Sequence, residues 1–173
     1  PKSPASVITK KLAGTGTPLT DTILDVPFTY ATEGFFQINL PVYQQALTDM
    51  KQWVVDGRQV VDLYSGVGSI GLTIGGPGVT LVELNEHAVR EMERNIEELG
   101  VDATAVLAPS EQALDYITGD KTIIVDPPRA GLHEAVIDRL LEEKPERIIY
   151  LSCNPATQAR DVMRLAELYG VKE

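Results

Sequence analysis

Cys153 is the only cysteine of the chain and stands in the run Ser152-Cys153-Asn154-Pro155, directly after the apolar stretch Ile148-Ile149-Tyr150-Leu151. A lone cysteine is most often a small buried hydrophobe. Three features favour a nucleophile here. The residue ends a strand pattern instead of sitting within it. Asn154 has the side chain to cap a helix that opens at Pro155. The start of a helix also favours the thiolate, the reactive form of the group. A second constellation, Asp126-Pro127-Pro128-Arg129, closes the stretch Thr122-Ile123-Ile124-Val125. Consecutive prolines fix φ and donate no N–H, so the turn is stiff and its carbonyls stay free. A rigid carbonyl-lined turn beside a carboxylate and a guanidinium suits the holding of a planar polar base, with Asp126 and Arg129 as the contacts.

A third group lies upstream. Gly66-x-Gly68-x-x-Gly71 follows the strand pattern Gln59-Val60-Val61-Asp62-Leu63, and Glu83 ends the next one, Val79-Thr80-Leu81-Val82-Glu83. Glycines at that spacing permit a tight turn and a close backbone approach, the following helix start adds positive potential, and an acidic residue ending the second strand can accept ribose hydroxyls. The pattern alone fits a dinucleotide-binding dehydrogenase, an S-adenosylmethionine (SAM) methyltransferase or a plain strand-to-helix turn. Asp62 tips the balance toward SAM, since a carboxylate inside the strand end is unhelpful beside a pyrophosphate.

The elements that must carry these groups alternate. Strands are expected at 59–63, 79–83, 101–107, 121–126 and 147–152. Helices are expected from Ser69, over Glu86–Leu99 with Gly100 as its stop, briefly over 110–117, over Glu134–Glu143, and over Pro155–Tyr169. A further helix opens at Leu40 with Asn39 as N-cap and an apolar face of Val42, Ala46, Leu47, Met50 and Val54. Such alternation predicts a parallel sheet with helices on both faces, and the two late strands read as buried. This is a Rossmann-like α/β fold that brings every strand-end group to one edge. Residues 1–36, with β-like runs at Thr22–Val26 and Phe28–Tyr30, read as a lead-in segment, and 37–173 as the main domain.

The balance of the chain narrows the classes further. It has 173 residues, 25 acidic against 15 basic side chains, a formal charge of −10, and 43% hydrophobic residues. That is the composition of a folded domain. No apolar run approaches a membrane span, and one cysteine excludes an internal disulfide framework or a cysteine-rich metal site. A cytoplasmic location and no metal are expected. The acidity argues against a broad nucleic-acid groove on this stretch.

With these residues in view, the sequence resembles the RNA uracil-C5 methyltransferases, which make 5-methyluridine in tRNA and rRNA. Phe35-Phe36-Gln37-Ile38-Asn39 is similar to the family's Phe-x-Gln-x-Asn segment, and Asp62 to Gly68 to its SAM loop. Asp126-Pro127-Pro128-Arg129-Ala130-Gly131 resembles its fourth motif. Ile148 to Thr157, followed by Ala159-Arg160-Asp161, resembles its cysteine motif. The likeness runs from about residue 20 to the end. It implies a SAM-dependent methyltransferase with Gln37, Tyr64, Ser69, Glu83 and Asp126 on SAM and Cys153 as the nucleophile. Its substrate would be RNA, bound mainly through segments outside this stretch. The family's general base is a Glu in a C-terminal Asp-x-Phe-Pro-x-Thr-x-His-x-Glu segment that has no counterpart here, so a domain lacking its closing strands is expected. Two other readings stay open: an amino-group methyltransferase using the Asp-Pro-Pro turn, and a non-catalytic nucleotide-binding module.

Overall fold

A computed structural model describes residues 18–31 and 36–172. Phe35 of the Phe-x-Gln-x-Asn segment and residues 1–17 of the lead-in lie outside the described residues. The chain runs β1 (Leu19–Ile23), β2 (Val26–Tyr30), α1 (Leu40–Lys51), β3 (Val60–Leu63), α2 (Ser69–Ile74), β4 (Val79–Glu83) and α3 (Glu86–Leu99). It continues through β5 (Ala103–Leu107), two single 3₁₀ turns, β6 (Thr122–Val125), α4 (Glu134–Glu143), β7 (Arg147–Tyr150) and α5 (Pro155–Leu165). Strands β3 to β7 form one parallel sheet in the order β5-β4-β3-β6-β7, and β1 pairs with β2 in a separate antiparallel hairpin. The strand order reverses between β3 and β6, and open α/β sheets hold ligands at such a point, outside the strand C-termini.

Alternation along the strands divides the core in two. Val60, Leu81 and Ile124 face one side with Tyr43, Leu47 and Met50 of α1, Ile70 and Ile74 of α2, and Met92 of α3. Val61, Leu63, Val82, Ile123 and Val125 face the other, against Val136, Ile137 and Leu140 of α4 and Leu165 of α5. The hairpin belongs to the first of these cores, because Ile23 and Phe28 are fully buried in it. Its backbone is also clipped to α3. The buried Asn95 side chain accepts the Thr29 N–H at 2.8 Å and donates to the Val67 carbonyl at 3.3 Å, tying the hairpin to the glycine turn.

Several local expectations hold. Asn39 and Asn154 cap α1 and α5 with their side chains, and Gly100 ends α3 in the left-handed conformation; the Asn85 cap of α3 was not foreseen. Others are corrected. Val42 points to solvent, and the buried face of α1 is Tyr43, Leu47 and Met50, one register position later. The run Thr22–Val26 is broken by a two-residue turn with Leu24 and Asp25 both at positive φ, the geometry that matches hairpin twist. The expected helix over 110–117 is two 3₁₀ turns, because Ala113 leaves the helical region and separates Ser110–Gln112 from Leu114–Tyr116. α5 stops at Leu165, four residues early, and the turns that follow let the Tyr169 hydroxyl reach the Pro145 carbonyl at 3.0 Å. Strand β7 is only partly buried because it has a single neighbour in the sheet.

Candidate functional site

The C-terminal ends of β3, β4, β6 and β7 open onto one cleft of about 1550 Å³. Gln37, Tyr64, Ser69, Glu83, Asp126 and Cys153 all line it, so the fold gathers the expected cofactor contacts and the expected nucleophile at one place. Arg129 lines it too, exposed, and forms no ion pair among the described residues.

Glu83 ends β4 beside the turn that follows β3. One carboxylate oxygen accepts the Gly66 N–H at 2.9 Å and the other accepts the Asn85 N–H at 2.7 Å. Each oxygen keeps a second lone pair, so this doubly anchored carboxylate is oriented to accept further hydroxyl donors. Tyr64 opens the turn at φ +64, an unusual conformation for a bulky residue, held in part by its hydroxyl accepting the His133 N–H at 3.4 Å. Backbone of this kind concentrates at ligand-binding turns. Burial raises the Tyr64 hydroxyl above the ordinary tyrosine range, keeping it a neutral donor.

Beneath the turn lies Asp62, fully buried on the apolar face, in register with Leu81 and Ile124 of the flanking strands. Its Oδ2 accepts the Gly71 N–H at 2.9 Å, while Oδ1 is buried without a partner among the described residues. Only glycine fits at position 71: a Cβ there would lie 2.2 Å from Leu81 Cδ2 and 3.2 Å from Asp62 Cβ. Loss of water pushes the Asp62 carboxyl up to about 8, with Asp126 and Glu83 adding repulsion and the Gly71 N–H opposing the rise. Asp126, at the end of β6, is pushed up to about 6 by burial and makes no side-chain hydrogen bond among the described residues. Ser69, the first residue of α2, shares a 2.8 Å hydrogen bond with the buried Tyr43 hydroxyl, which burial holds protonated. The inner wall is therefore a set of carboxyls and hydroxyls suited to a polar ligand carrying positive charge. Among the described residues no cluster of His, Cys, Asp or Glu is arranged to hold a metal ion.

Cys153 stands one step before the N-cap of α5, exposed at the far side of the cleft. Its exposure removes the packing role that most lone cysteines have. The Asn154 side chain caps α5 through the Ala156 N–H at 3.2 Å and also donates to the Arg129 carbonyl at 2.9 Å. The Thr157 hydroxyl donates to that same carbonyl at 3.1 Å. The free carbonyls expected of the Pro-Pro turn thus have a definite use, because one of them ties the turn to the cysteine loop.

Sequence reasoning missed three participants. Tyr43 lines the cleft and is visible only as an aromatic at the i−4 position from Leu47 on the buried face of α1. His133 lines it while capping α4 with its own ring nitrogen, which accepts the Ala135 N–H at 3.2 Å. Arg160 reaches the cleft from α5 and is paired with the buried Asp161. A charged Arg-Asp pair in the first two turns of a helix, just after a cysteine loop, is the signal that could have flagged it.

Comparison with known proteins follows the same lines. A family model described as tRNA (Uracil-5-)-methyltransferase matches residues 112–173. The chain is 40% identical over 144 residues to the tRNA (uracil(54)-C(5))-methyltransferase of Pyrococcus abyssi, a match covering 82% of this chain and 35% of that protein. It is 35% identical over 158 residues to an uncharacterized RNA methyltransferase of Enterococcus faecalis, covering 86% and 35%. Among solved structures, the P. abyssi tRNA (uracil-54, C5)-methyltransferase in complex with S-adenosyl-L-homocysteine superposes with a TM-score of 0.79 at 37% identity. That match covers 85% of this chain and 37% of the other. The chain spans about a third of the length of the curated relatives it matches.

Proposed function

The chain belongs to the RNA uracil-C5 methyltransferase family, and we propose on that premise that it carries the cofactor cleft and the nucleophile of an enzyme methylating C5 of a uridine in tRNA or rRNA. The observation that carries the proposal is the opening of Cys153, Asp126 and Glu83 onto one cleft. In this reading residues 37–173 form the transferase domain and residues 1–36 lead into it, with the β1–β2 hairpin packed on the same core.

The walls of the cleft fit SAM. Glu83 would take the ribose hydroxyls through its two anchored oxygens. Gln37, Tyr64 and Ser69 would contact the rest of the cofactor, and Asp126, charged above about pH 6, gives a negative field for a cation. When bound, SAM supplies an electrophilic methyl group. C5 of uracil is too weak a nucleophile to take it unaided. The Cys153 thiolate adds to C6, forming the Sγ–C6 bond, breaking the C5–C6 π bond and leaving an enolate with negative charge spread over C5 and O4. Asp126 and Arg129 hold the ring while this occurs. C5 of the enolate would take the methyl group, the C–S bond to it breaking with its electrons left on the sulfur of neutral S-adenosylhomocysteine; a base would then remove the C5 proton, re-forming the C5–C6 double bond as the thiolate leaves C6. In the family that base is a glutamate of a segment C-terminal to these motifs.

Two calorimetric titrations and one product analysis test the proposal. S-adenosylhomocysteine should bind and NAD should not, and digestion of treated RNA should yield 5-methyluridine. Binding of NAD alone would overturn the cofactor assignment. Methyl groups found on exocyclic amines, formed equally well after Cys153→Ala, would replace the uracil reading with the amino-group one.

A further inference from the structure

The uracil reading uses Cys153 and the Asp-Pro-Pro-Arg turn but leaves unexplained a charged residue buried between them. Asp161, in the second turn of α5, is fully buried. Its Oδ2 accepts two hydrogen bonds at 2.8 Å, one from the Leu132 N–H and one from the Tyr150 hydroxyl. Its Oδ1 accepts two from Arg160, Nε at 2.9 Å and Nη2 at 2.7 Å. The Arg160 Nη2 also donates to the Ala130 carbonyl at 2.9 Å. One carboxylate therefore joins the end of β7, the first turns of α5 and the loop that continues the Pro-Pro turn.

The loop is shaped around this carboxylate. Gly131 sits at φ +85, and a Cβ on it would lie 2.5 Å from both Asp161 Oδ2 and Arg160 Nη2. A side chain at that position would force the loop off the carboxylate, so the glycine and the buried charge form one device. Cys153 lies on the short connection between Tyr150, which binds Asp161, and Pro155, which opens the helix bearing it. Asn154 and Thr157 add the second attachment of that connection to the turn, at the Arg129 carbonyl.

We infer that Asp161 is a positioning residue for the transfer: buried behind the cleft and paired with Arg160, it fixes the Asp-Pro-Pro-Arg turn and the Cys153 loop relative to each other. The inference rests on the uracil reading, and it assigns to Asp161 no contact with cofactor or substrate. A near-attack geometry between thiolate and C6 depends on the relative placement of two loops that the backbone alone does not join, and Asp161 supplies the link. The cofactor walls on β3 and β4 lie outside it, and Asp126 directly follows β6, a buried strand paired with β3, so loss of Asp161 should slow addition without weakening cofactor binding.

The experiment compares the unsubstituted protein, Asp161→Asn and Tyr150→Phe for covalent trapping on an RNA stem-loop carrying 5-fluorouridine. SAM is present throughout: once C5 has taken the methyl group it carries fluorine and no proton for a base to remove, so elimination is blocked and the Sγ–C6 bond persists and can be counted. Asn can still accept from Leu132 and Tyr150 through one oxygen, but it turns an NH₂ toward the Arg160 donors. At saturating RNA the trapping rate should fall about 10- to 100-fold in Asp161→Asn, the range a misplacement near 1 Å produces. Affinity for S-adenosylhomocysteine should stay within about twofold. Tyr150→Phe removes one of the four bonds and should slow trapping about three- to tenfold, which keeps the inference testable if Asp161→Asn does not fold. Trapping at the unsubstituted rate in either folded variant would overturn it, as would a loss of cofactor affinity in proportion to the loss of rate. An unsubstituted protein that forms no adduct would overturn the uracil reading, before any variant is compared.

Discussion

Replacing Asp62 with Asn tests whether the floor of the cofactor turn holds a neutral carboxyl. The side chain is fully buried on an apolar sheet face, with one oxygen on the Gly71 N–H and the other unpartnered among the described residues. Burial pushes its carboxyl from 3.8 up to about 8. The native state then binds a proton that the unfolded chain has released across that whole interval, so stability falls as pH rises from about 4 to about 8. Each pH unit inside the interval is worth about 1.36 kcal/mol, and between pH 5 and pH 8 Asp62 costs the native state up to about 4 kcal/mol. Asn cannot ionise and removes that slope. Its NH₂ in place of the unpartnered oxygen costs about 1–3 kcal/mol at every pH. Near pH 5 the two proteins should be of similar stability, and near pH 8 the variant should be the more stable, the difference swinging by up to about 4 kcal/mol. Urea unfolding of both proteins at several pH values measures the difference. Asp126 titrates in both and largely cancels, its coupling to Asp62 being a secondary correction. A stability difference that stays constant between pH 5 and pH 8 would refute the reasoning, because it would mean that Asp62 is ionised throughout.

The close approach of α2 to the sheet predicts that Gly71→Ala destabilises by about 1–3 kcal/mol in urea unfolding, since its Cβ would meet Leu81 and Asp62. A more stable variant would contradict the packing described. Asp126 is pushed up to about 6 by burial, so it is mostly neutral below that pH and charged above. Its native-state cost likewise grows as pH rises from 3.8 toward 6. Affinity for the cationic SAM should therefore increase through pH 6 more than affinity for the uncharged-sulfur S-adenosylhomocysteine, by calorimetry, and Asp126→Asn should flatten the difference.

The parallel sheet was legible because β3, β4 and β6 are short apolar runs between helical patterns, and nothing but a doubly covered sheet buries them. The cleft was legible for a related reason: the residues with chemistry ended those runs, and a parallel sheet brings strand ends to one edge. What the pattern did not carry was choice between equivalent local solutions. Tyr43 and Val42 are adjacent, and only the packing of α1 decides that the tyrosine goes in. Residues 110–117 have helical spacing, yet a break at Ala113 divides them into two tighter turns. The Asp161 clamp was hidden for a different reason. Its partners Ala130, Leu132 and Tyr150 are distant in sequence, and two of them contribute only backbone atoms, which no side-chain pattern encodes.

The central claim is that Cys153 adds to uracil within this cleft. Intact-mass measurement after incubation with SAM and an RNA stem-loop carrying 5-fluorouridine tests it most directly. The account predicts a species heavier by the RNA plus one methyl group, resistant to denaturation and absent in Cys153→Ala, while that variant still binds S-adenosylhomocysteine. An adduct of the same mass in Cys153→Ala would contradict the account.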